Sequence, residues 1–270
     1  MQETSPIITR IQQGVATIWL NRPAVHNAFD DCLIGLLTAS IDILARDPSV
    51  RVIVLTGVGR SFSAGADLNW MRRMAAASEA ENRADAENLA GLMRTLAWCP
   101  KPTLAKVQGS AFGGGVGLIA CCDIAIAIDS ARFGLTETRL GLVPAVISPY
   151  VVDAIGARNA RRYFQTGEVF DAESALRMGL IQQLVGAGED LDARCQEVVK
   201  RCLDNGPEAV QAAKQLAWRL AGRSLADQEL LDRDHTRLIA ELRVSAEGQE
   251  GLGAFLEKRR PGFASSDSGA

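Results

Sequence analysis

Two features of the chain have residue types and spacing suited to chemistry. The first is the run Gly109-Ser110-Ala111-Phe112-Gly113-Gly114-Gly115-Val116-Gly117. The second is Glu137, twenty positions after Gly117, in Phe133-Gly134-Leu135-Thr136-Glu137-Thr138-Arg139-Leu140-Gly141. Glycine inside an element costs about 0.5–1 kcal/mol relative to alanine, so three adjacent glycines imply backbone brought close to something. The pair reads as a backbone-lined site with one carboxylate aimed into it.

Three chemistries compete for the glycine run. Gly115-Val116-Gly117-Leu118-Ile119-Ala120 matches the loose dinucleotide form, but only a few residues separate it from the next apolar run at 124–128. A dinucleotide site needs a full helix there, and a triphosphate loop would end in Gly-Lys-Ser/Thr, which is absent. Close packing of a helix on a sheet is the second reading. The third is an oxyanion site, with backbone N–H groups at a helix N-terminus facing a developing negative charge. Ala64-Gly65-Ala66-Asp67, another small-residue turn, would supply its second donor.

Positioning these residues takes an α/β framework. Residues 7–12 and 15–20 are short and β-branched and flank Gln13-Gly14, a hairpin pattern. A helix opens near Asn27–Asp30 and carries Leu33, Leu36, Leu37, Ile41 and Leu44. Apolar runs at 52–55, 103–107, 124–128 and 181–185 read as strands, the first of them covered on both faces. Helices are expected at 69–78, 84–98, 151–155, 157–164 and 171–178. The alternation describes an α/β unit with largely parallel pairing. From Asp190 onward the pattern is almost wholly helical, including 208–220, 224–242 and 247–257, with a frayed tail at 265–270. The composition shift near 190–205 divides a core, 1–200, from a helical region, 201–270.

Composition narrows the function classes. The chain has 270 residues, is 47% hydrophobic and carries a net charge of −3, which supports a sizeable core and argues against a nucleic-acid surface. Cys32, Cys99, Cys121, Cys122, Cys195 and Cys202 show no zinc-type spacing and read as reduced structural thiols. No apolar run reaches the ~18 residues that span a bilayer, and a cytoplasmic protein is expected.

The motifs taken together resemble the enoyl-CoA hydratase/isomerase family, also called the crotonase family. The resemblance rests on Leu20-Asn21-Arg22-Pro23 with Asn27-Ala28-Phe29, on residues 62–68, on Gln108-Gly109 with Gly113-Gly114-Gly115, on Cys122-Asp123-Ile124, and on Glu137 with Leu140-Gly141-Leu142-Val143-Pro144. It covers roughly residues 5–262 and implies a crotonase-like ββα spiral core with a helical C-terminal region. It also implies an acyl-CoA thioester substrate and a homotrimer or dimer of trimers built through residues 201–270. No metal or redox cofactor is implied, because CoA arrives as part of the substrate.

By position, the resemblance makes the N–H groups of Ala66 and Gly114 the oxyanion donors and Glu137 the proton-transfer group. It places Ala24, Val25, Ala64, Asp67, Leu68, Gly113, Gly117, Ala145, Tyr150 and Lys258 against substrate or CoA. Family hydratases usually carry a second glutamate where this chain has Gly117. By itself that absence favours an isomerase or another one-base reaction. A finer resemblance, in residues 67–74, 113–118, 144–152 and 247–251, is to bacterial methylglutaconyl-CoA hydratases and the related isohexenylglutaconyl-CoA (carboxygeranoyl-CoA) hydratases, which share the glycine. The preferred reading is hydration of 3-methylglutaconyl-CoA. Isohexenylglutaconyl-CoA hydratase, enoyl-CoA isomerase and a catalytically silent acyl-CoA-binding protein are the alternatives. An anionic substrate would repel a second glutamate at 117. Arg139, Ser148 and Tyr150 are candidates to meet a substrate carboxylate or water. His26 is expected to act through its backbone only, His235 to be solvated, and Trp70, Met71 and Met74 to line the acyl pocket or core.

Overall fold

Gln13 and Gly14 both have positive φ, 49° and 82°, the backbone that a two-residue hairpin turn requires. They join β1 (Ile7–Gln12) to β2 (Val15–Leu20) as an antiparallel pair. The computed structural model describes residues 5–265. The tail expected at 265–270 therefore lies, from 266 on, outside the described residues. Helix α1 (Asp31–Arg46) starts where Asp30 accepts a hydrogen bond from the N–H of Leu33, and it buries Leu33, Ile34, Leu37, Ile41 and Leu44.

The chain then repeats one pattern, in which each turn lays one strand in each of two sheets and follows with a helix. The first turn is β3 (Val52–Gly57), β4 (Ser61–Ser63), α2 (Leu68–Ala76) and α3 (Glu79–Ala97). The second is β5 (Thr103–Val107), β6 (Ser110–Phe112) and α4 (Gly114–Cys121). The third is β7 (Ile124–Ile128), β8 (Arg132–Gly134), a 3-10 turn (Glu137–Leu140) and α5 (Ser148–Thr166). Strand β9 (Val169–Asp171), α6 (Ala172–Met178) and β10 (Gln183–Val185) complete the sheets. The large sheet runs β1-β2-β3-β5-β7-β10, parallel apart from the hairpin, and the small one β4-β6-β8-β9. This is the ββα architecture that the resemblance implies.

Sequence patterning misses the small sheet. Its strands are three residues each, too short for alternation to register. The two helices expected across 151–164 are both present and meet at Gly156, whose φ of 75° and ψ of 151° are not helical. All six cysteines are unpaired, and burial raises the thiols of Cys99, Cys121, Cys122 and Cys195.

Four helices end the described chain: α7 (Leu191–Leu203), α8 (Pro207–Leu220), α9 (Leu225–Val244) and α10 (Ala246–Leu256). Helix α7 covers the large sheet with Cys195, Val198 and Val199 against Val52, Val54, Leu104 and Ile126. Helix α9 packs along α3, tied there by the ion pair of Arg94 with Asp232, whose other oxygen accepts from Gln228 Nε2 at 2.7 Å. Ile239 and Leu252 join the same buried cluster as the sheet residues. Helix α10 lies against the Glu137–Leu140 turn and α2. Both helices thus stand over the end of the sheets where the glycine turns lie. Among the described residues no helix is long and apolar enough to cross a membrane.

Candidate active site

The turn before α2 is held from two sides. Asp67 caps the helix, accepting from the N–H groups of Asn69 at 2.8 Å and Trp70 at 3.2 Å. Its other oxygen meets Arg22 Nη2 at 3.0 Å. The segment after β2 then zips onto the turn: Phe29 N–H donates to Gly65 O at 2.6 Å, and Asp67 N–H donates to Phe29 O at 2.8 Å. Between these bonds the N–H of Ala66 finds no acceptor among the described residues. Burial pushes the Asp67 carboxyl up, but the two capping N–H groups and Arg22 outweigh it and hold it below the usual carboxylate range.

The second turn opens α4. Gly113 has φ 49° and ψ −119°, a conformation that a side chain rarely tolerates. Its N–H donates to Gly134 O at 2.9 Å, which leaves the N–H of Gly114, the first of the helix, without an acceptor among the described residues. A methyl group on Gly113 would sit 4.0 Å from Cα of Gly65 and 3.2 Å from Oε1 of Glu137. The two turns and the carboxylate therefore converge on one spot.

Glu137 begins the 3-10 turn after β8, and its carbonyl accepts from Leu142 N–H at 3.1 Å. Its Oε2 is buried with no hydrogen-bond partner among the described residues. Burial pushes its pKa from 4.5 to about 7, opposed only by a bond from its own backbone N–H. A buried carboxyl near neutrality can both take and return a proton at physiological pH.

All of this faces a cavity of about 520 Å³, a size suited to a small-molecule acyl group. Phe29, Ala64, Gly65, Ala66, Gly113 and Gly114 line one side. Trp70, Met71 and Met74 line another, as the helical spacing of α2 suggests. The walls are apolar except for Thr136, Glu137, Arg139 and Arg243. Ile239 and Arg243 of α9 and Leu252 and Phe255 of α10 also line it. The sequence reading missed these four. Ile239 carries a signal in its apolar spacing, but nothing local marks Arg243.

The other candidate residues are placed as follows. Ala64, Gly113 and Ala145 line the cavity beside Ala66, Gly114 and Glu137. Gly117 does not, because it is buried in α4 under Ile147. A Cβ added at 117 would overlap Cγ2 of Ile147 and lie 2.9 Å from its Cβ. The position where a second acid was expected to be missing is therefore packed shut. Tyr150 is buried behind the wall with its hydroxyl unpartnered. Leu68 is 49% exposed at the start of α2, and Ala24 and Val25 are exposed on a short 3-10 turn outside the cavity lining. Lys258 is exposed beyond α10. Ser148 donates to Ala145 O at 2.7 Å. His26 adopts φ 54° and holds Ser61 Oγ at 3.0 Å through Nδ1. His235 is half-buried rather than solvated, and burial lowers its pKa. Its Nδ1 is buried with no hydrogen-bond partner among the described residues.

The profile of the family described as Enoyl-CoA hydratase/isomerase matches residues 10–266. A 2,3-dehydroadipyl-CoA hydratase of Escherichia coli is 34% identical over 261 residues, covering 96% of this chain and 98% of that protein. A 1,2-epoxyphenylacetyl-CoA isomerase of the same organism is 32% identical over 259 residues, covering 95% and 97%. The crystal structure of an enoyl-CoA hydratase from Shewanella pealeana superposes with a TM-score of 0.79 at 46% identity, over 97% of each chain.

Proposed function

The chain belongs to the enoyl-CoA hydratase/isomerase family and is an enzyme of the enoyl-CoA hydratase type; from that premise we propose that it adds water to a branched 2-enoyl-CoA thioester, with 3-methylglutaconyl-CoA as the preferred substrate. The observation that carries the chemistry is the unpartnered Oε2 of Glu137, on a carboxyl pushed up to about 7, set against two N–H groups without an acceptor among the described residues.

In this reading the N–H groups of Ala66 and Gly114 hold the thioester oxygen. The Glu137 carboxylate takes a proton from water as the hydroxyl oxygen bonds to Cβ, and the π electrons move to form an enolate. The negative charge gathers where the two donors point, an arrangement in which each donor contributes about 3–4 kcal/mol. The carboxylic acid then returns its proton to Cα. One water has been added and Glu137 is again ionised, so a single acid suffices in sequence.

The absence of a second acid also favours a second reading. Glu137 alone can take a proton from one carbon of the acyl chain and return it two carbons away, and a trans-2-decenoyl-[acyl-carrier-protein] isomerase of Streptococcus mutans stands among the relatives. Product analysis with 3-methylglutaconyl-CoA, isohexenylglutaconyl-CoA and crotonyl-CoA side by side separates these. Hydration of 3-methylglutaconyl-CoA with the highest kcat/KM is expected. Preference for isohexenylglutaconyl-CoA moves the enzyme to terpene-type substrates, and hydration of crotonyl-CoA alone overturns both branched readings. A shifted double bond without added water establishes the isomerase.

A further inference from the structure

We propose that Arg243 receives the terminal carboxylate of an acyl chain, so that the cavity selects thioesters of dicarboxylic acids over neutral acyl thioesters of equal length. The proposal rests on the reading that the cavity takes an acyl-CoA.

Arg243 is an unusual component of an apolar wall. Its side chain is only 13% exposed, and it lines the cavity with Trp70, Met71, Met74 and Leu252. Its posture is fixed. Nη1 donates to Asp85 Oδ2 at 3.0 Å and to Asn82 Oδ1 at 3.2 Å. The guanidinium carbon lies 5.7 Å from the centre of the Trp70 ring. Trp70 Nε1 donates to the other oxygen of Asp85 at 2.8 Å, and Asn82 holds the end of α2 through the carbonyls of Met74 and Ala77. Three helices thus fix one guanidinium.

That network uses only Nη1. A guanidinium carries five N–H groups, and those on Nε and Nη2 find no acceptor among the described residues. Nε and Nη2 form the side-on fork that binds a carboxylate through two parallel hydrogen bonds. Nε and Nη2 are not fully buried, so in the open cavity they keep accessible surface, and an acyl chain that covers them without offering an acceptor incurs a desolvation cost. A carboxylate on the substrate would match them. A neutral acyl chain would leave them unmatched, so the same geometry also rejects the wrong ligand.

Arg139 is the other cation on the cavity wall. It is exposed, where water screens it and a charge pair contributes little. Its Cγ and Nε lie toward Gly167, and no hydrogen bond fixes it among the described residues. Arg243 combines low exposure, a fixed orientation and an open fork, whereas Arg139 has only the open fork.

The test uses pairs matched in length. Binding of adipyl-CoA and hexanoyl-CoA, both saturated and unreactive, is measured by calorimetry. Hydration is followed with 2,3-dehydroadipyl-CoA and trans-2-hexenoyl-CoA. Wild type is expected to prefer the carboxylate-bearing member of each pair. Arg243→Gln is expected to reduce that preference by roughly 10- to 100-fold, as for loss of charge-assisted hydrogen bonds, and Arg139→Gln by less. Because Arg243→Gln leaves Asp85 buried without its cation, the double variant Arg243→Gln/Asp85→Asn is measured as well and is expected to show the same loss. An unchanged preference in both Arg243 variants, a wild type that favours hexanoyl-CoA, or a larger loss in Arg139→Gln overturns the proposal while leaving the hydratase reading intact. Arg243-dependent binding of adipyl-CoA without any hydration does the reverse.

Discussion

Asp67 and Glu137 stand at the two glycine turns and differ in what surrounds them. Asp67 is 7% exposed but fully engaged, by two backbone N–H groups and by Arg22. Glu137 has a buried oxygen, Oε2, with no partner among the described residues. The first carboxylate falls below its ordinary pKa and the second rises to about 7. A buried carboxylate engaged at both oxygens holds a turn in place, and one with an unengaged oxygen is free to exchange a proton. Chemistry should therefore concentrate in Glu137 and stability in Asp67.

The sharpest way to break this division is Glu137→Gln, which keeps the shape and removes the exchangeable proton. It is expected to lower kcat by about 10²–10⁴-fold, with the cooperative unfolding transition retained at neutral pH. A variant with near-normal turnover would remove Glu137 from the mechanism and leave the comparison without its functional half.

The next effect is in pH. In the proposed reaction the Glu137 carboxylate takes the proton from water, so kcat/KM is expected to rise through pH about 7 and the rise to vanish in Glu137→Gln. Stability must move the other way. The folded-state pKa is about 7 against 4.5 unfolded, so between those values the folded chain binds more protons and stability falls as pH rises. The contribution is fully present below 4.5 and, above pH about 7, is lower by up to about 3 kcal/mol. Denaturant titrations at pH 5 and pH 8 should show wild type losing more stability than Glu137→Gln across that interval. Equal losses would mean that the carboxyl is solvated in the folded state.

Asp67 gives the opposite sign and a smaller effect. Its depressed pKa stabilises the fold above about pH 4 and the contribution is lost as pH falls further. Asp67→Ala removes the cap of α2 and an ion pair, and is expected to cost about 2 kcal/mol in denaturant unfolding. It should also lower kcat, through Ala66, more than it raises KM. If its stability is unchanged, the turn is held by the Phe29 bonds alone.

The order of elements and the glycine turns are legible in the sequence because each rests on local rules. Gln13-Gly14 announces a hairpin, and Gly113-Gly114-Gly115 announces close backbone approach. Glu137 is conspicuous by its spacing. The small sheet is not legible, since three-residue strands have no period. Nor are Ile239, Arg243, Leu252 and Phe255, which reach the cavity only because α9 and α10 fold back over it. What fills a vacancy is equally hidden: Gly117 reads as a missing acid, and only packing reveals Ile147 in that space.

Position 117 supplies the finest test, because packing against Ile147 decides whether any side chain fits there. Gly117 is helical, so Gly117→Ala gains about 0.5–1 kcal/mol in helix propensity. The new Cβ must displace Ile147, and such overpacking costs about 1–3 kcal/mol. The net expectation is a loss of roughly 1 kcal/mol, which is the difference of those two ranges. Ile147→Val keeps Ile147's Cγ2 position but shortens the chain, which lets the residue retreat. The double variant should then be less destabilised than the sum of the two single ones, a favourable coupling for residues in contact. If Gly117→Ala is stabilising instead, Ile147 yields without cost and position 117 has room after all. The lone-acid mechanism would then depend on which residue occupies 117 and not on how the fold is packed.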